Sequence, residues 1–406
     1  MPTEIVELEG HIVDSLLLAK VLDLIVESGA DYRIEEFELG KTNIDPSRTT
    51  IEITTDDDSR LDALLEQLQV HGVNRTSDHD AALVSSDRNG VLPTGFYSTT
   101  NLATDVRVDG RWHSVENPEM DCGIVVTDEY VRTLAMHRVR IGDRIVVGFD
   151  GVRVHAPSRS RDMRNFEFMN SDVSSEKPKA LLVEQVAQRI RTVKERGDKV
   201  LAVCGPAVVH TGGAPHIARM IRNGWIDVLF AGNGFATHDM ESNVLGTSLG
   251  VSVAEGTPVE HGHSNHLRVI NEVRRFGSIA AAVEAGFVTG GAMYECVRRG
   301  VPFVLGGSVR DDGPLPDTMP NVVEAADAMR DHVAGIAVAL MLASTLHAIA
   351  TGNLLPAGVE TFCVDINQAV VTKLADRGSH QALGIVTDVG PFVQQLADTL
   401  STTSSQ

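Results

Sequence analysis

Long hydrophobic runs, cysteine pairs and a signal-peptide pattern are missing from this sequence, and each absence excludes a class of protein. The longest apolar stretch, 333–350, is interrupted by Ser344, Thr345 and His347, so no run of about 18 apolar residues predicts a membrane-spanning helix. The four cysteines form no C-x-x-C pair, which excludes a disulfide scaffold and a structural zinc site. The opening residues are acidic where a signal peptide is basic. We therefore predict reduced thiols and a cytoplasmic protein without a membrane span.

Positive charge is also scarce. With 35 Lys and Arg against 55 Asp and Glu, the formal net charge is −20, and no local basic cluster offsets it. An acidic surface repels phosphate backbones and anionic lipids. We expect a small-molecule substrate and no nucleic-acid or membrane partner. The 406 residues, of which 43% are hydrophobic, suffice for about two or three globular domains.

The first 84 residues follow the order βαββαβ. Alternating apolar residues and three-to-four spacing predict strands at 4–12, 31–40, 49–56 and 81–84 and helices at 15–28 and 59–70. This order is the ferredoxin-like arrangement, which amino-acid-binding regulatory modules share. We predict a ferredoxin-like α+β domain over 1–84, with ligand binding and a structural or oligomerising role as open alternatives.

Residues 85–179 are predicted to form a small β-rich middle domain and a connector. Short strand-like pieces alternate with Gly, Pro and Asn, and the Asp-Gly pairs at 109–110 and 150–151 are hairpin signals. The polar stretch 158–180 is typical of a connector.

From 180 to 400, strands that look buried alternate with helices. Strands are predicted at 199–205, 226–232, 301–307, 358–366 and 382–390, and helices at 180–196, 216–223, 266–275, 278–285, 322–350 and 369–375. This alternation is typical of an α/β domain with a parallel sheet covered on both faces, in which ligands bind beyond the carboxyl ends of the strands. The tail 401–406 is expected to be disordered.

Polar clusters follow most of these strands. Asn233 and Gly234 lie in a G-x-G-x-x-T sequence that lacks the full dinucleotide fingerprint, although such a glycine lets a cofactor approach the backbone. Asp312 could contact a ribose or amide and Arg310 a substrate carboxylate, the alternative being a solvated turn. His347 is either a ligand contact or a satisfied core histidine.

Two further loops could carry chemistry. In the loop 116–122, Glu119 or Asp121 could bind a cationic amine or take its proton, and a solvated loop is the alternative. The histidine-rich piece 260–266 lacks partners that complete a metal site, so we predict no metal and a substrate-facing or structural loop.

Six motifs together carry a family resemblance: FYSTTN, ENPEMDCGIVV, AVCGPAVVHTGGAPHIARMI, VLFAGNGFATHDME, LGGSVRDDGPLPD and CVDINQAVVTKL. They resemble the lysine-oxoglutarate reductase/saccharopine dehydrogenase (LOR/SDH) conserved-domain family. That family includes archaeal-type ornithine cyclodeaminases and the C-terminal part of cyanobacterial arginine dihydrolase/ornithine cyclodeaminase. The likeness covers nearly the whole chain.

The resemblance implies a C-terminal NAD-binding domain over 180–400 that is similar to deoxyhypusine synthase. The implied NAD contacts are Asn233, Gly234, Asp312, Ser344, Thr345, Leu346, His347, Ala348, Asp365, Asp388 and Val389. Catalysis is assigned to Glu119, Asp121 and Arg310. By analogy with related domains, we expect a homo-oligomer.

The implied reaction is the lyase conversion of L-ornithine to L-proline and ammonia, in arginine and ornithine metabolism leading to proline. It proceeds by internal hydride transfer, with NAD as a recycled cofactor. Two alternatives stay open. One is a saccharopine-type or other amino-acid dehydrogenase, which would release reduced cofactor. The other is a regulatory protein that senses NAD or an amino acid.

Overall fold

The computed structural model describes residues 2–13, 16–41, 45–76, 79–156, 179–248, 251–252, 264–311, 313–376 and 382–402. The chain divides into two compact units. The first contains Met1–Ser171 and Leu355–Gly358, and the second contains Asp172–Leu354 and Val359–Gln406. Most of the predicted connector, 157–178, and the tail residues 403–406 lie outside the described residues. No helix in the described part of the chain is long and apolar enough to cross a membrane.

The first unit is built mainly from strands. They are β1 Thr3–Gly10, β2 Asp31–Glu38, β3 Ser47–Thr54, β4 Val73–Arg75, β5 Ala82–Ser85, β6 Thr104–Val108, β7 Arg111–Ser114, β8 Gly123–Val126, β9 Val131–Leu134, β10 Arg144–Val147 and β11 Val152–Val154. Its helices are α1 Leu17–Glu27 and α2 Asp58–Gln69, with a 3-10 turn at Met136–Arg138.

The predicted ferredoxin-like arrangement is confirmed, but its predicted last strand, 81–84, is wrong. The strand that completes this sheet is β4, whereas β5 pairs with β10 in another sheet. A strand of three residues is too short to show an alternating pattern. The first sheet has the order β2-β3-β1-β4, with β1 antiparallel to both β3 and β4. Val6 pairs with Ile51, and these two residues are buried with Leu8 and Ile53 because alternate positions of a strand share one face. The apolar sides of α1 and α2 complete this core. Asp57 caps α2 by accepting a hydrogen bond from the Arg60 amide.

Two small sheets form the rest of the first unit, with the orders β5-β10-β8-β9 and β11-β6-β7. Asp109 and Gly110 both have positive φ, which is the geometry of a two-residue hairpin turn, and they join the paired strands β6 and β7. The second predicted hairpin, at Asp150–Gly151, is wrong because β10 and β11 belong to different sheets. The turn there carries the chain from one sheet to the other.

The segment Leu355–Gly358 belongs to the first unit although it lies far along the chain. Ala357 is buried in the core of the β-rich part. The Ala357 amide donates to the Asn101 carbonyl oxygen at 2.8 Å, and the Asn101 side-chain amide donates to the Leu355 carbonyl oxygen at 3.3 Å. These bonds fix the segment on the loop that precedes β6.

The second unit alternates strands and helices. Its strands are β12 Lys199–Cys204, β13 Val228–Gly232, β14 Thr247–Ser248, β15 Val251–Ser252, β16 Phe303–Gly306, β17 Thr318–Met319, β18 Ile336–Leu342, β19 Glu360–Asp365 and β20 Ala382–Val386. Its helices are α3 Lys179–Glu195, α4 Ala207–His210, α5 Ala214–Arg222, α6 Asn233–Leu245, α7 Asn265–Phe276, α8 Ile279–Glu284, α9 Ala292–Arg299, α10 Val322–Arg330, α11 Leu346–Leu354, α12 Gln368–Asp376 and α13 Val389–Thr402.

The predicted parallel sheet is confirmed, with seven strands in the order β17-β16-β13-β12-β18-β19-β20. The predicted helix 322–350 is wrong. Its middle is β18, a wholly apolar strand between β12 and β19. A short apolar run without alternation fits a buried helix or a strand covered on both faces, so periodicity alone could not decide. Gly335 and Ala343, both at positive φ, flank the strand.

Strand order reverses beside β12. From β12 the chain continues to β13 on one side, and it later enters β18 on the other. Open α/β sheets bind ligands beyond the carboxyl ends of their strands at such a reversal. At this point the backbones meet closely. A Cβ atom added to Gly205 would collide with the Ala343 carbonyl oxygen, so only glycine fits there.

Candidate functional site at the carboxyl edge of the parallel sheet

A cavity of about 640 Å³ opens beyond the carboxyl ends of β13 and β16. Its walls come from the residues that follow β12, β13, β16 and β18 and from α7. The lining residues are Pro206, His210, Gly232, Asn233, Gly234, Thr237, His238, His266, Ile270, Gly306, Ser308, Arg310, Asp311 and His347. This is the edge at which an open α/β sheet receives its ligand.

The His347 ring lies directly on two strand ends. A Cβ atom added to Gly232 would lie 2.9 Å from His347 Cε1, and one added to Gly306 would lie 2.9 Å from His347 Nε2. Burial lowers the pKa of His347, and the Asp311 carboxylate opposes part of this effect. The two glycines therefore create the space for an imidazole that is neutral near pH 7.

Asn233 is the first residue of α6 and is buried. Its Oδ1 accepts hydrogen bonds from the Leu315 amide at 2.9 Å and from Thr318 Oγ1 at 3.1 Å. Because a backbone amide can only donate, it fixes which side-chain atom of Asn233 is the oxygen. The Nδ2 group is then the donor that Asn233 can offer to a ligand. Gly234 follows it, and an added Cβ there would lie 3.2 Å from Pro206 Cγ.

Thr237 lies one turn of α6 after Asn233 and also lines the cavity. Its side chain is buried, and its Oγ1 has no hydrogen-bond partner within the described residues. Buried hydroxyl groups normally have a partner, so this hydroxyl is available to bind a ligand in the cavity.

The loop after β16 carries charged groups at the cavity rim. Asp311 Oδ2 accepts from the Ser308 amide at 2.8 Å, and Ser308 Oγ accepts from the Arg310 amide at 3.1 Å. Arg310 is exposed and forms no ion pair with any other described residue. Asp312, the predicted ribose contact, lies outside the described residues, and Asp311 is the acid that lines the cavity.

Three histidines from different helices line one wall. The ring centroid of His238 lies 4.8 Å from that of His210 and 6.1 Å from that of His266. His238 Nδ1 lies 2.8 Å from Oε2 of the buried Glu241. His210 Nδ1 lies 2.7 Å from Ser248 Oγ. The sequence predicted a substrate-facing or structural loop for the piece that contains His266 and no role for His210 or His238, although the i,i+3 spacing of His238 and Glu241 on one helix was a readable signal.

Burial is the main cause of the unusual titration of His210. It lowers the pKa of His210 to about 4, with repulsion from His238 acting in the same direction and Glu241 opposing it. His210 is therefore neutral at physiological pH.

The other predicted NAD contacts lie at the carboxyl ends of β18, β19 and β20, on the same edge of the sheet. They are Ser344, Thr345, Leu346, Ala348, Asp365, Asp388 and Val389. Asp365 Oδ1 accepts from the Asn367 amide at 2.8 Å, and Asp388 Oδ1 accepts from the Gly390 amide at 3.0 Å. Of the residues predicted from sequence, Asn233, Gly234, Arg310 and His347 line the cavity itself.

The three predicted catalytic residues are divided between the two units. Glu119 and Asp121 lie in the first unit, on the loop between β7 and β8, and Arg310 lies in the second. Glu119 is buried, and Asp121 is exposed with a positive φ. Thr99 Oγ1 donates to the Glu119 carbonyl oxygen, and the Asp121 amide donates to the Thr99 carbonyl oxygen at 3.0 Å, so this loop is well fixed.

No group of three or more His, Cys, Asp or Glu side chains is arranged to hold a metal ion in the described ranges. Of the histidine-rich piece, His266 lines the cavity, whereas His261 and His263 lie outside the described residues.

Three family models match consecutive parts of the chain. The LOR/SDH bifunctional enzyme conserved region matches residues 3–102. The first C-terminal region of ArgZ-like arginine dihydrolases matches 103–183, and their C-terminal region described as a Rossmann fold matches 184–396. The likeness to deoxyhypusine synthase stays a prediction.

Three proteins of known name are similar to this chain over nearly its whole length. An ornithine cyclodeaminase of Methanopyrus kandleri is 49% identical over 400 residues, which are 98% of this chain and 97% of that protein. The apo structure of cyanobacterial ArgZ, an arginine dihydrolase, has a TM-score of 0.85 and 37% identity over 99% of this chain. A ternary complex of AgrE with ornithine and NAD+ has a TM-score of 0.55 and 40% identity over 100% of this chain. This chain covers 59% of the ArgZ chain and 58% of the AgrE chain.

Proposed function

The chain belongs to the family defined by the LOR/SDH conserved region and the ArgZ-like C-terminal regions, as its motifs predict, and from this premise we propose that it is an NAD-dependent ornithine cyclodeaminase. It would convert L-ornithine to L-proline and ammonia. The observation that carries the proposal is the cavity at the carboxyl edge of the sheet, with Asn233 fixed as a donor beside the orphaned Thr237 hydroxyl. Support comes from a relative of that name at 49% identity and from the AgrE complex with both ligands.

The donor set of the cavity fits NAD. Asn233 Nδ2 and Thr237 Oγ1 would donate to carbonyl or hydroxyl oxygens of the cofactor. Asp365 and Asp388 lie outside the cavity lining, at the carboxyl ends of β19 and β20. They would accept hydrogen bonds from ribose hydroxyls, because each has one carboxylate oxygen engaged by a backbone amide and a second oxygen that can accept. When bound, NAD would supply a reversible hydride acceptor, so that the overall reaction involves no net oxidation.

The substrate has one carboxylate and two ammonium groups, and the cavity rim offers complementary charges. The Arg310 guanidinium would bind the carboxylate through two parallel hydrogen bonds. Asp311 would face an ammonium group from the same loop. Glu119 and Asp121 stay predictions for the second ammonium group or for proton transfer.

The reaction also sets a condition on proton transfer. L-Ornithine, with one net positive charge, gives zwitterionic L-proline and an ammonium ion, so no proton is gained or lost overall. A protein group that deprotonates the reacting amine must therefore return its proton before the cycle ends.

The test is turnover of the purified chain with L-ornithine, with and without added NAD. We expect proline and ammonia in a one-to-one ratio and no accumulating absorbance at about 340 nm, the band of reduced nicotinamide. A rise of that absorbance with any amino acid would instead identify a dehydrogenase. Ligand binding without turnover would identify a sensor.

A further inference from the structure

A buried carboxylate and imidazole pair adjoins the cavity and has no part in the cofactor contacts proposed above. His238 and Glu241 lie one turn apart on α6, with His238 Nδ1 and Glu241 Oε2 2.8 Å apart. Glu241 is fully buried, whereas the His238 side chain is 12% exposed and lines the cavity. A carboxylate beside Nδ1 keeps the ring proton on that nitrogen, which leaves Nε2 as the acceptor.

The carboxylate of the pair is held in place from its other side. Glu241 Oε1 accepts from Thr247 Oγ1 at 2.8 Å, and Thr247 Oγ1 accepts from Asn265 Nδ2 at 2.9 Å. Glu241, Thr247 and Asn265 are all buried. Burying a carboxylate is costly unless hydrogen bonds compensate, and this network supplies them from β14 and α7. The orientation of the His238 ring is thus set by three elements.

Of the three cavity histidines, His238 is the one whose described hydrogen-bond partner is a carboxylate. His210, on α4, is kept neutral by burial, and its Nδ1 is engaged with Ser248 Oγ. His266 approaches from α7 at 6.1 Å between ring centroids. The other charged or titratable side chains that line the cavity are Arg310, Asp311 and His347.

We propose that His238 Nε2 takes the proton from the reacting ammonium group of the substrate and later returns it to the departing ammonia, with Glu241 as the positioning residue. This step rests on the proposed function. The substrate N–H bond breaks, an Nε2–H bond forms, and the electron pair stays on the amine nitrogen. That pair becomes the second C–N bond when the adjacent carbon loses a hydride, and it returns to the nitrogen when the second amine adds to the same carbon with its own free pair. The proton that the second amine loses before it adds ends on the ring nitrogen of zwitterionic proline. Return of the proton to ammonia gives the ammonium ion that the overall balance requires.

Two variants separate the roles of the pair. In His238→Gln we expect kcat to fall by about 10²- to 10⁴-fold, the usual contribution of a general base, with unchanged affinity for NAD. Glu241→Gln retains an oxygen that can accept from Nδ1–H but removes the negative charge. We expect it to lower kcat and to move the acid limb of the pH profile of kcat/KM to lower pH. The control is His216→Gln on α5, a histidine outside the cavity lining.

Two readouts distinguish chemistry from a merely structural role. Nitrogen-15 NMR of the histidines should show the Nδ1-protonated form of His238 in the ligand-free protein, with a changed signal in Glu241→Gln. Added imidazole should restore turnover to His238→Ala, because the cavity can admit a small base.

The outcomes separate this inference from the proposed function. If the unmodified chain does not convert ornithine, the proposed function is overturned and this proton-transfer step with it. If the unmodified chain turns over but His238→Gln keeps a normal kcat, only the assignment of His238 is wrong. Should His238→Gln not fold, the imidazole response of His238→Ala and the pH profile of Glu241→Gln decide, and the absence of both effects would refute the proposal.

Discussion

Replacing Asn233 by aspartate separates the two roles of this side chain. Asparagine Oδ1 accepts from the Leu315 amide and from Thr318 Oγ1, whereas Nδ2 is the donor offered to the cofactor. Aspartate has nearly the same shape and keeps an oxygen for the first role. It replaces the Nδ2 donor by a second oxygen acceptor and so removes the hydrogen bond that Nδ2 would donate to the cofactor.

The expected losses of NAD affinity and of unfolding free energy are both large enough to be measured. A ligand acceptor that loses its donor in a buried site costs about 1–3 kcal/mol, so we expect Asn233→Asp to weaken the Kd for NAD by about 5- to 150-fold. Asn233→Ala also leaves the buried Leu315 amide and the Thr318 hydroxyl without their acceptor. At about 1–3 kcal/mol for each of these two unsatisfied buried groups, the free energy of unfolding should fall by about 2–6 kcal/mol in the alanine variant alone.

Calorimetric titration with NAD and urea unfolding of both variants test this reasoning. The expected pattern is impaired NAD binding in both variants and impaired stability only in Asn233→Ala. Equal loss of stability in the two variants would show that the oxygen does not hold the loop. Undiminished NAD affinity in Asn233→Asp would show that Nδ2 does not face the cofactor.

Three further predictions concern the second unit. Gly205→Ala should lower the free energy of unfolding by at least about 1–3 kcal/mol in urea titrations, because the added Cβ meets the Ala343 carbonyl oxygen. The control is Gly358→Ala, where the added Cβ meets open space. Equal stability of the two variants would contradict the close approach of the backbones at Gly205. Gly306→Ala should weaken NAD binding, because the added Cβ would lie 2.9 Å from His347 Nε2 and would displace this cavity side chain. Stability should change little, because the displaced group is a side chain and not a backbone. Calorimetry that finds an unchanged Kd for NAD would refute this prediction. Burial raises the pKa of Asp239 to about 6, above about 3.9 for an unfolded aspartate, although its bonds to the Met293 and Ala292 amides oppose the shift. The folded state therefore binds this proton more tightly, so stability from Asp239 is complete below about pH 4 and is lost as the pH rises through 6, by about 3 kcal/mol. The difference in unfolding free energy between the original chain and Asp239→Asn should change over that window, and a difference that is independent of pH would exclude the shift.

Local sequence patterns were sufficient to predict most of the helices and strands and the type of each main sheet. Alternation and helical spacing predicted five of the six elements of the ferredoxin-like domain and missed β4, which has three residues. Buried strands that end in polar clusters predicted the parallel sheet and the edge at which it binds a ligand. The central strand β18 was missed because its seven residues are all apolar, which removes the period that distinguishes strand from helix. Only the pairing of β18 with β12 and β19, a long-range property, reveals it.

The sequence predicted only those parts of the candidate site that depend on local patterns. Asn233 and His347 follow strands, and strand ends converge in any parallel sheet. The orientation of the Asn233 amide could not be predicted, because it depends on Leu315, 82 residues away. The His238 and Glu241 pair was visible as spacing, but its meaning depends on the complete burial of Glu241 and on Thr247 and Asn265 behind it.

The short segment Leu355–Gly358 bears on how this protein could be divided or shortened. A polypeptide ending at residue 171 would contain all the strands of the first unit and still lack Ala357 from its core and two of the hydrogen bonds of Asn101. The missing piece is encoded between α11 and β19. A gene cut between the units would therefore yield a first half that lacks part of its own core.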